Sequence, residues 1–201
     1  MVELLKEDIQ TREVFDWKGL HLMHAQVSSC SQKLRIYLNV KGLEYTSRLI
    51  DIPAGENYGA WYMGINPRGL VPTLVHDGTV IIESNDILAY LEEQFAQPRL
   101  IPADLANATL NALAEEDDLH LNLRALSARY LFPPQAATKG EDAMAAYSTH
   151  GSGTVGGVED TRRQVEQSYF RDVKTDGGIS EDRTRQAVAR FETAFTKLES
   201  Q

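Results

Sequence analysis

A chain of 201 residues with 42% apolar and 24% charged side chains can bury one large or two small cores. Its net charge of −9 offers no basic face for DNA or RNA, and no apolar run approaches the ~18 residues of a membrane span. The single cysteine, Cys30, excludes an internal disulfide and fits a reducing compartment, with the cytoplasm as the default.

The first 19 residues are charged and weakly patterned, and are expected to form an extension outside the fold. Their apolar stretch is too short for a secretory signal. Leu20 to His24 reads as a short strand, and Ser28-Ser29-Cys30-Ser31 as a polar turn. Gln32 to Val40 is a predicted helix with Leu34, Tyr37 and Leu38 inward, and Gly42 stands where a left-handed cap belongs. Tyr45 to Ile52 is a second strand, and Pro53 to Tyr62 an irregular stretch with a short helix. Val71 to His76 and Thr79 to Ile82 form a hairpin around Asp77-Gly78, a strong two-residue turn signal. Ile87, Leu88, Leu91 and Phe95 then recur at helical spacing behind Ser84, which reads as an N-cap. Strand, helix, strand, hairpin and helix make a complete α/β layer over residues 20–97.

Beyond the linker Pro98 to Pro102, strand signals vanish and residues 104–201 read as an all-helical domain. One helix is expected over Asp104 to Leu131, closed by Phe132-Pro133-Pro134, and a short one over Gly140 to Tyr147. His150 to Gly157 is Gly-rich and reads as a mobile linker, not a phosphate cradle, because it lacks the GK[ST] ending and a preceding strand. Val158 to Val173 forms a further helix. Ser180 caps a last one, whose apolar face carries Val188, Phe191, Phe195 and Leu198. The five histidines are scattered without ligand spacing, so no metal site is expected.

Three features converge on one kind of ligand. Pro72 stands at the head of a strand, and a cis bond before it would turn the Val71 backbone N–H and C=O outward. Ser84 at a helix start offers free N–H groups and a positive dipole end to a carboxylate. Glu83 offers a counter-charge to an ammonium. A backbone edge, an anion site and a cation site together suit a small zwitterionic peptide and point to glutathione. Arg68, beside that edge, fits a surface loop better than a second carboxylate site.

Residues 20–95 resemble the thioredoxin-like domain of cytosolic glutathione transferases. Ser28-Ser29-Cys30-Ser31-Gln32-Lys33-Leu34-Arg35-Ile36 is similar to the zeta-class (maleylacetoacetate isomerase) motif SSCxWRVRIAL, with Gln32 and Lys33 departing from it. The same turn resembles the SxCS motif of tetrachlorohydroquinone reductive dehalogenases. Asn66 to Leu74 and Glu83 to Ile87 match the shared NPxxxVPTL and ESxxI elements. The helical remainder resembles only the start of the family's C-terminal domain, which normally continues with a capped core helix and a lid; the chain is either a fragment or carries a short version.

The resemblance implies that Ser28 stabilises the glutathione thiolate by a hydrogen bond and that Cys30, near a helix N-terminus, is available for thiol exchange. It implies that Ser29, Val71, Pro72, Glu83 and Ser84 bind glutathione. The implied activity is attack of that thiolate on a small electrophile, with cis–trans isomerisation, reductive dehalogenation or thiol exchange, and a non-catalytic binding role as alternatives. A homodimer is implied as well, with Tyr58, Trp61, Tyr62 and Met63 in the segment that contributes to the family's interface.

Overall fold

The structure, a computed structural model, describes residues 1–132 and 138–200. It divides into two compact units, residues 1–102 with 141–163, and residues 103–140 with 164–201. The expected closure of a helix by Pro133-Pro134 lies outside the described residues.

The first unit is built on a five-stranded mixed sheet. Its strands are β1 (Val2–Glu3), β2 (Leu20–His24), β3 (Thr46–Leu49), β4 (Thr73–His76) and β5 (Thr79–Ile82), in the order β1-β5-β4-β2-β3. Only β2 and β3 run parallel, joined by the crossover helix α1 (Ser29–Lys41). The hairpin turns at Asp77 and Gly78, with φ of +47° and +85°, the doubly left-handed geometry that an Asp-Gly pair tolerates. Helix α1 ends at Gly42 in the left-handed conformation, φ +69°.

Alternation along the strands buries both faces of the sheet. Met23, Val75, Val80 and Ile82 face one core together with Tyr62 and Ile65, and Tyr62 belongs to the short helix α2 (Ala60–Met63). Leu22, Leu74 and Ile81 point the opposite way. On that side α3 (Ser84–Gln94) packs against β4 and β5, with α1 alongside it, so that Leu34, Leu38, Ile87 and Leu91 are fully buried.

Residues 1–19 lie within this unit, contrary to expectation. Val2 and Glu3 pair with Ile82 and Ile81 as an added edge strand, and Leu4, Ile9 and Val14 enter the first core. The stretch folds because each of these three side chains gains about 1.5–3 kcal/mol from burial, although they follow no strand or helix period.

Residues 141–163 also belong here rather than with the later helices. Helix α4 (Ala106–Asp118) and α5 (His120–Tyr130) replace the single helix expected over 104–131, parted at Leu119. Helix α6 (Glu141–Thr149) places Tyr147 on Tyr58, ring centroids 4.4 Å apart. The Gly-rich segment is then an ordered hairpin, β6 (Thr154–Val155) and β7 (Val158–Glu159), rather than a mobile linker. The buried Asp8 carboxylate holds it, accepting hydrogen bonds from the Thr154 hydroxyl (2.6 Å) and the Gly156 and Gly157 N–H groups (2.8 and 3.1 Å). Tyr58, Tyr62 and Met63 are interior, and of the four side chains expected at a dimer interface only Trp61 is exposed.

In the second unit α7 (Arg162–Thr175), which starts at the end of the first, contributes Tyr169 and Val173 to a core with Ala125, Ala128 and Ile179. Its Glu166 is buried and paired with Arg124 at 2.5 Å. Helix α8 (Glu181–Glu199) is capped by Ser180 as expected, and packs on α5. It buries Thr184 and Ala187, whereas Val188, Phe195 and Leu198 remain exposed. The helices of the described residues include none long and apolar enough to cross a membrane.

Candidate functional site

Strand register assembles the site. Thr73 pairs with Met23 on one side and Ile82 on the other, so the end of β2, the start of β4 and the end of β5 lie level. The chain therefore leaves β2 towards Ser28, enters β4 from Val71-Pro72 and leaves β5 into Glu83-Ser84 at one end of the sheet, on three adjacent strands spaced at about 4.8 Å. The α1 and α3 starts are tied together there by Lys33, whose Nζ donates to Asn85 Oδ1 at 2.7 Å.

At the β2 end, Ser28 is the N-cap of α1, its hydroxyl oxygen accepting the Ser31 N–H at 3.2 Å. The hydroxyl proton is not used in that bond, so capping and donation to a ligand are compatible. Ser29 is exposed and Cys30 partly exposed in the first turn, where the helix dipole favours a thiolate. Two further residues, His24 and Arg35 of the matched motif, fix the approach to this turn. Arg35 donates to the carbonyls of Ala25 (3.2 Å) and Gln26 (3.3 Å) and to Nδ1 of the buried His24 (3.0 Å). A guanidinium only donates, so His24 Nδ1 accepts and Nε2 donates to the Ser47 hydroxyl at 2.8 Å. Burial, and then the Arg35 charge, lower the His24 pKa and keep the ring neutral.

At the β4 start, the Val71–Pro72 peptide bond is cis. The ladder begins only at Thr73, leaving Val71 outside it. The loop before it is held by Tyr62 and Asn66, which both donate to Leu70 O (2.5 and 2.9 Å) and both engage the Thr73 hydroxyl at 2.9 Å. Gly69 has φ +61°, and a Cβ there would meet Met63 Sδ at 2.6 Å, so both conformation and space demand glycine.

At the β5 end, Glu83 rather than Ser84 is the N-cap of α3, and its side chain makes no capping bond. Ser84 is the first helical residue and is buried. Leaving β5 puts Glu83 at φ +67°, an uncommon region for a side-chain-bearing residue and typical of functional sites. Glu83 is also already paired. Arg68 Nη1 donates to Glu83 Oε1 at 2.6 Å, while its Nε and Nη2 grip both oxygens of Asp160 at 2.9 Å. Arg68, read from sequence as a surface arginine, is thus a largely buried bridge between two carboxylates. Burial works against its charge, but the bonds to Asp160 and Glu83 outweigh it and raise its pKa.

Comparison with known proteins fits this geometry. Residues 27–94 match the model of the glutathione S-transferase N-terminal domain. A glutathione S-transferase zeta class protein of Euphorbia esula is 42% identical over 84 residues, 42% of this chain and 37% of its own. A maleylacetoacetate isomerase of Pseudomonas aeruginosa is 40% identical over 80 residues, 38% of each chain. The matched stretch thus spans less than half the length of these curated relatives. Among solved structures, the beta-etherase LigF from Sphingobium sp. strain SYK-6 shares the fold over 90% of this chain and 72% of its own, with TM-score 0.71 and 23% identity. A thioredoxin-like domain followed by helices is therefore the architecture of this chain, and residues 27–94 within it match a glutathione S-transferase N-terminal domain.

Proposed function

We propose that this chain, which matches a glutathione S-transferase N-terminal domain over residues 27–94, binds glutathione where β2, β4 and β5 end together and activates its thiol for attack on a small electrophile. The observation that supports the reading is the register of those strands, which brings the segments leading to Ser28, Val71 and Glu83 out at one end of the sheet. The Val71 backbone takes the cysteinyl segment by strand-like hydrogen bonds. Ser84 and the α3 N-terminus take the γ-glutamyl carboxylate, Glu83 takes the ammonium, and Ser29 sits beside the thiol. Ser28 donates its hydroxyl proton to the sulfur while its oxygen caps α1, and the α1 dipole adds to the effect. Both favour thiolate over thiol and so lower the pKa of the bound ligand.

The thiolate then forms a carbon–sulfur bond and expels a leaving group with its electron pair. No covalent bond to the protein is needed. A second reading, isomerisation, is supported by the identity to a maleylacetoacetate isomerase. There the same thiolate adds to a conjugated double bond, allows rotation, and leaves unchanged. Thiol exchange would instead engage Cys30, the partly exposed thiol of the first helical turn. A homodimer in the cytoplasm belongs to this proposal, supported by the exposed Phe195 and Leu198 on α8.

The test is turnover of glutathione with a panel holding a chlorinated aromatic, a conjugated cis double bond and an aryl ether, with ultraviolet thiolate absorbance read alongside. Thiolate formation at neutral pH with turnover of one member supports the reading. Binding without any turnover would leave only the non-catalytic role, and no thiolate at all would remove the activation step.

A further inference from the structure

We propose that Asp160 is a positioning residue for the ammonium of bound glutathione, acting by preventing Arg68 from neutralising Glu83. The inference rests on the glutathione reading above and adds to it a residue from a distant stretch of sequence. Its basis is the charge count in one connected group. Glu83 and Arg68 alone form a neutral pair, with a 2.6 Å bond between them, and a neutral pair has little to offer a cation. Asp160 supplies a second negative charge and engages Arg68 through two parallel bonds of 2.9 Å, the stronger bidentate arrangement. The group of three then carries net −1.

The accessible end of that group is Glu83. Its side chain is 29% exposed, against 16% for Arg68 and 11% for Asp160. A ligand ammonium therefore meets Glu83, and Asp160 acts from behind. The backbone holds both partners in place: the Tyr147 hydroxyl donates to Arg68 O at 3.0 Å, and Asp160 N–H donates to Gly153 O at 3.0 Å. The hairpin that delivers Asp160 is itself fastened by Asp8. The Gly-rich segment thus tunes a site whose ligand-contacting residues all lie before residue 85.

The experiment compares calorimetric dissociation constants for glutathione and for its deamino analogue, which lacks the ammonium. The wild type is expected to prefer glutathione by roughly tenfold or more, the scale of a charge-assisted contact. Asp160→Asn should bring that preference close to one, mainly by weakening glutathione, and Asp160→Glu should keep part of it. Arg68→Met/Asp160→Asn, which returns the group to net −1, should restore it, and Arg68→Met alone should exceed the wild type. Arg68→Met alone, which leaves Asp160 in place, keeps the test readable if Asp160→Asn does not fold. An unchanged preference in Asp160→Asn, equal weakening of both ligands, or a lower preference in Arg68→Met would overturn the inference. A wild type that binds neither ligand would overturn the glutathione reading and this one with it.

Discussion

Replacing Asp8 by Asn should loosen the hairpin that residues 154–159 form. The Asp8 carboxylate is fully buried and accepts four hydrogen bonds, from Leu5 N (2.9 Å), the Thr154 hydroxyl (2.6 Å), Gly156 N (2.8 Å) and Gly157 N (3.1 Å). Asparagine keeps one acceptor oxygen and turns an NH2 group towards donors, so about half of these bonds are lost. Charge-assisted bonds contribute ~1.5–3 kcal/mol each. Water can reach the exposed Gly156 and Gly157, which reduces the loss, and the expected destabilisation is about 2–4 kcal/mol. Burial raises the Asp8 pKa, but the bonds from Thr154, Leu5, Gly157 and Gly156 together prevail and lower it. Because the folded pKa is depressed, this contribution is complete above the unfolded value of about 3.9 and is lost as pH falls below it. The assay is urea denaturation with amide hydrogen exchange read at Gly156 and Gly157. Unchanged stability in Asp8→Asn, with exchange at both glycines as slow as in wild type, would refute the clasp.

Three further outcomes follow from the geometry. Ser28→Ala should raise the thiol pKa of bound glutathione and cut conjugation ~10²-fold at neutral pH with binding little changed, whereas Cys30→Ala should affect only thiol exchange; loss of every glutathione-dependent reaction in Cys30→Ala alone would reverse the roles. Glu92→Gln should destabilise the first unit by roughly 1.5–3 kcal/mol in thermal unfolding, since Glu92 accepts from Lys41 Nζ (2.8 Å), the Tyr37 hydroxyl and the Leu100 and Ile101 N–H groups. Burial opposes the Glu92 charge but these bonds bring its pKa to about 2, so the stabilisation is present above its ordinary carboxylate range and fades as pH falls towards about 2. Light scattering should report a homodimer that Phe195→Ser and Leu198→Ser together weaken; a monodisperse monomer would count against the exposed α8 stripe as an interface.

The backbone framework around the candidate site was legible because its signals are local. Asp77-Gly78 marks a hairpin, Val71-Pro72 marks its entry and Gly42 marks a helix end, each through the backbone conformation that residue type tolerates. The N-terminal strand was not legible, because Leu4, Ile9 and Val14 recur every fifth residue, which matches neither strand nor helix. The Gly-rich segment did hold a usable signal. Gly156-Gly157 between Val155 and Val158 is a two-residue hairpin loop with both φ positive, obscured by the neighbouring glycines. The cap of α3 was misplaced by one residue because serine is the commoner cap, whereas the turn out of β5 gives that place to Glu83. Asp160 had no signal at all. Its meaning comes from Arg68, 92 positions earlier, and from a clasp that only the folded chain creates.

The most direct test of the account is a calorimetric titration of the intact chain with glutathione, beside the same titration of Glu83→Ala. Saturable one-site binding that Glu83→Ala weakens by about 1.5–3 kcal/mol, a ten- to hundredfold rise in Kd, is the predicted result. A wild type that takes up no glutathione, or a Glu83→Ala variant with an unchanged Kd, would contradict it.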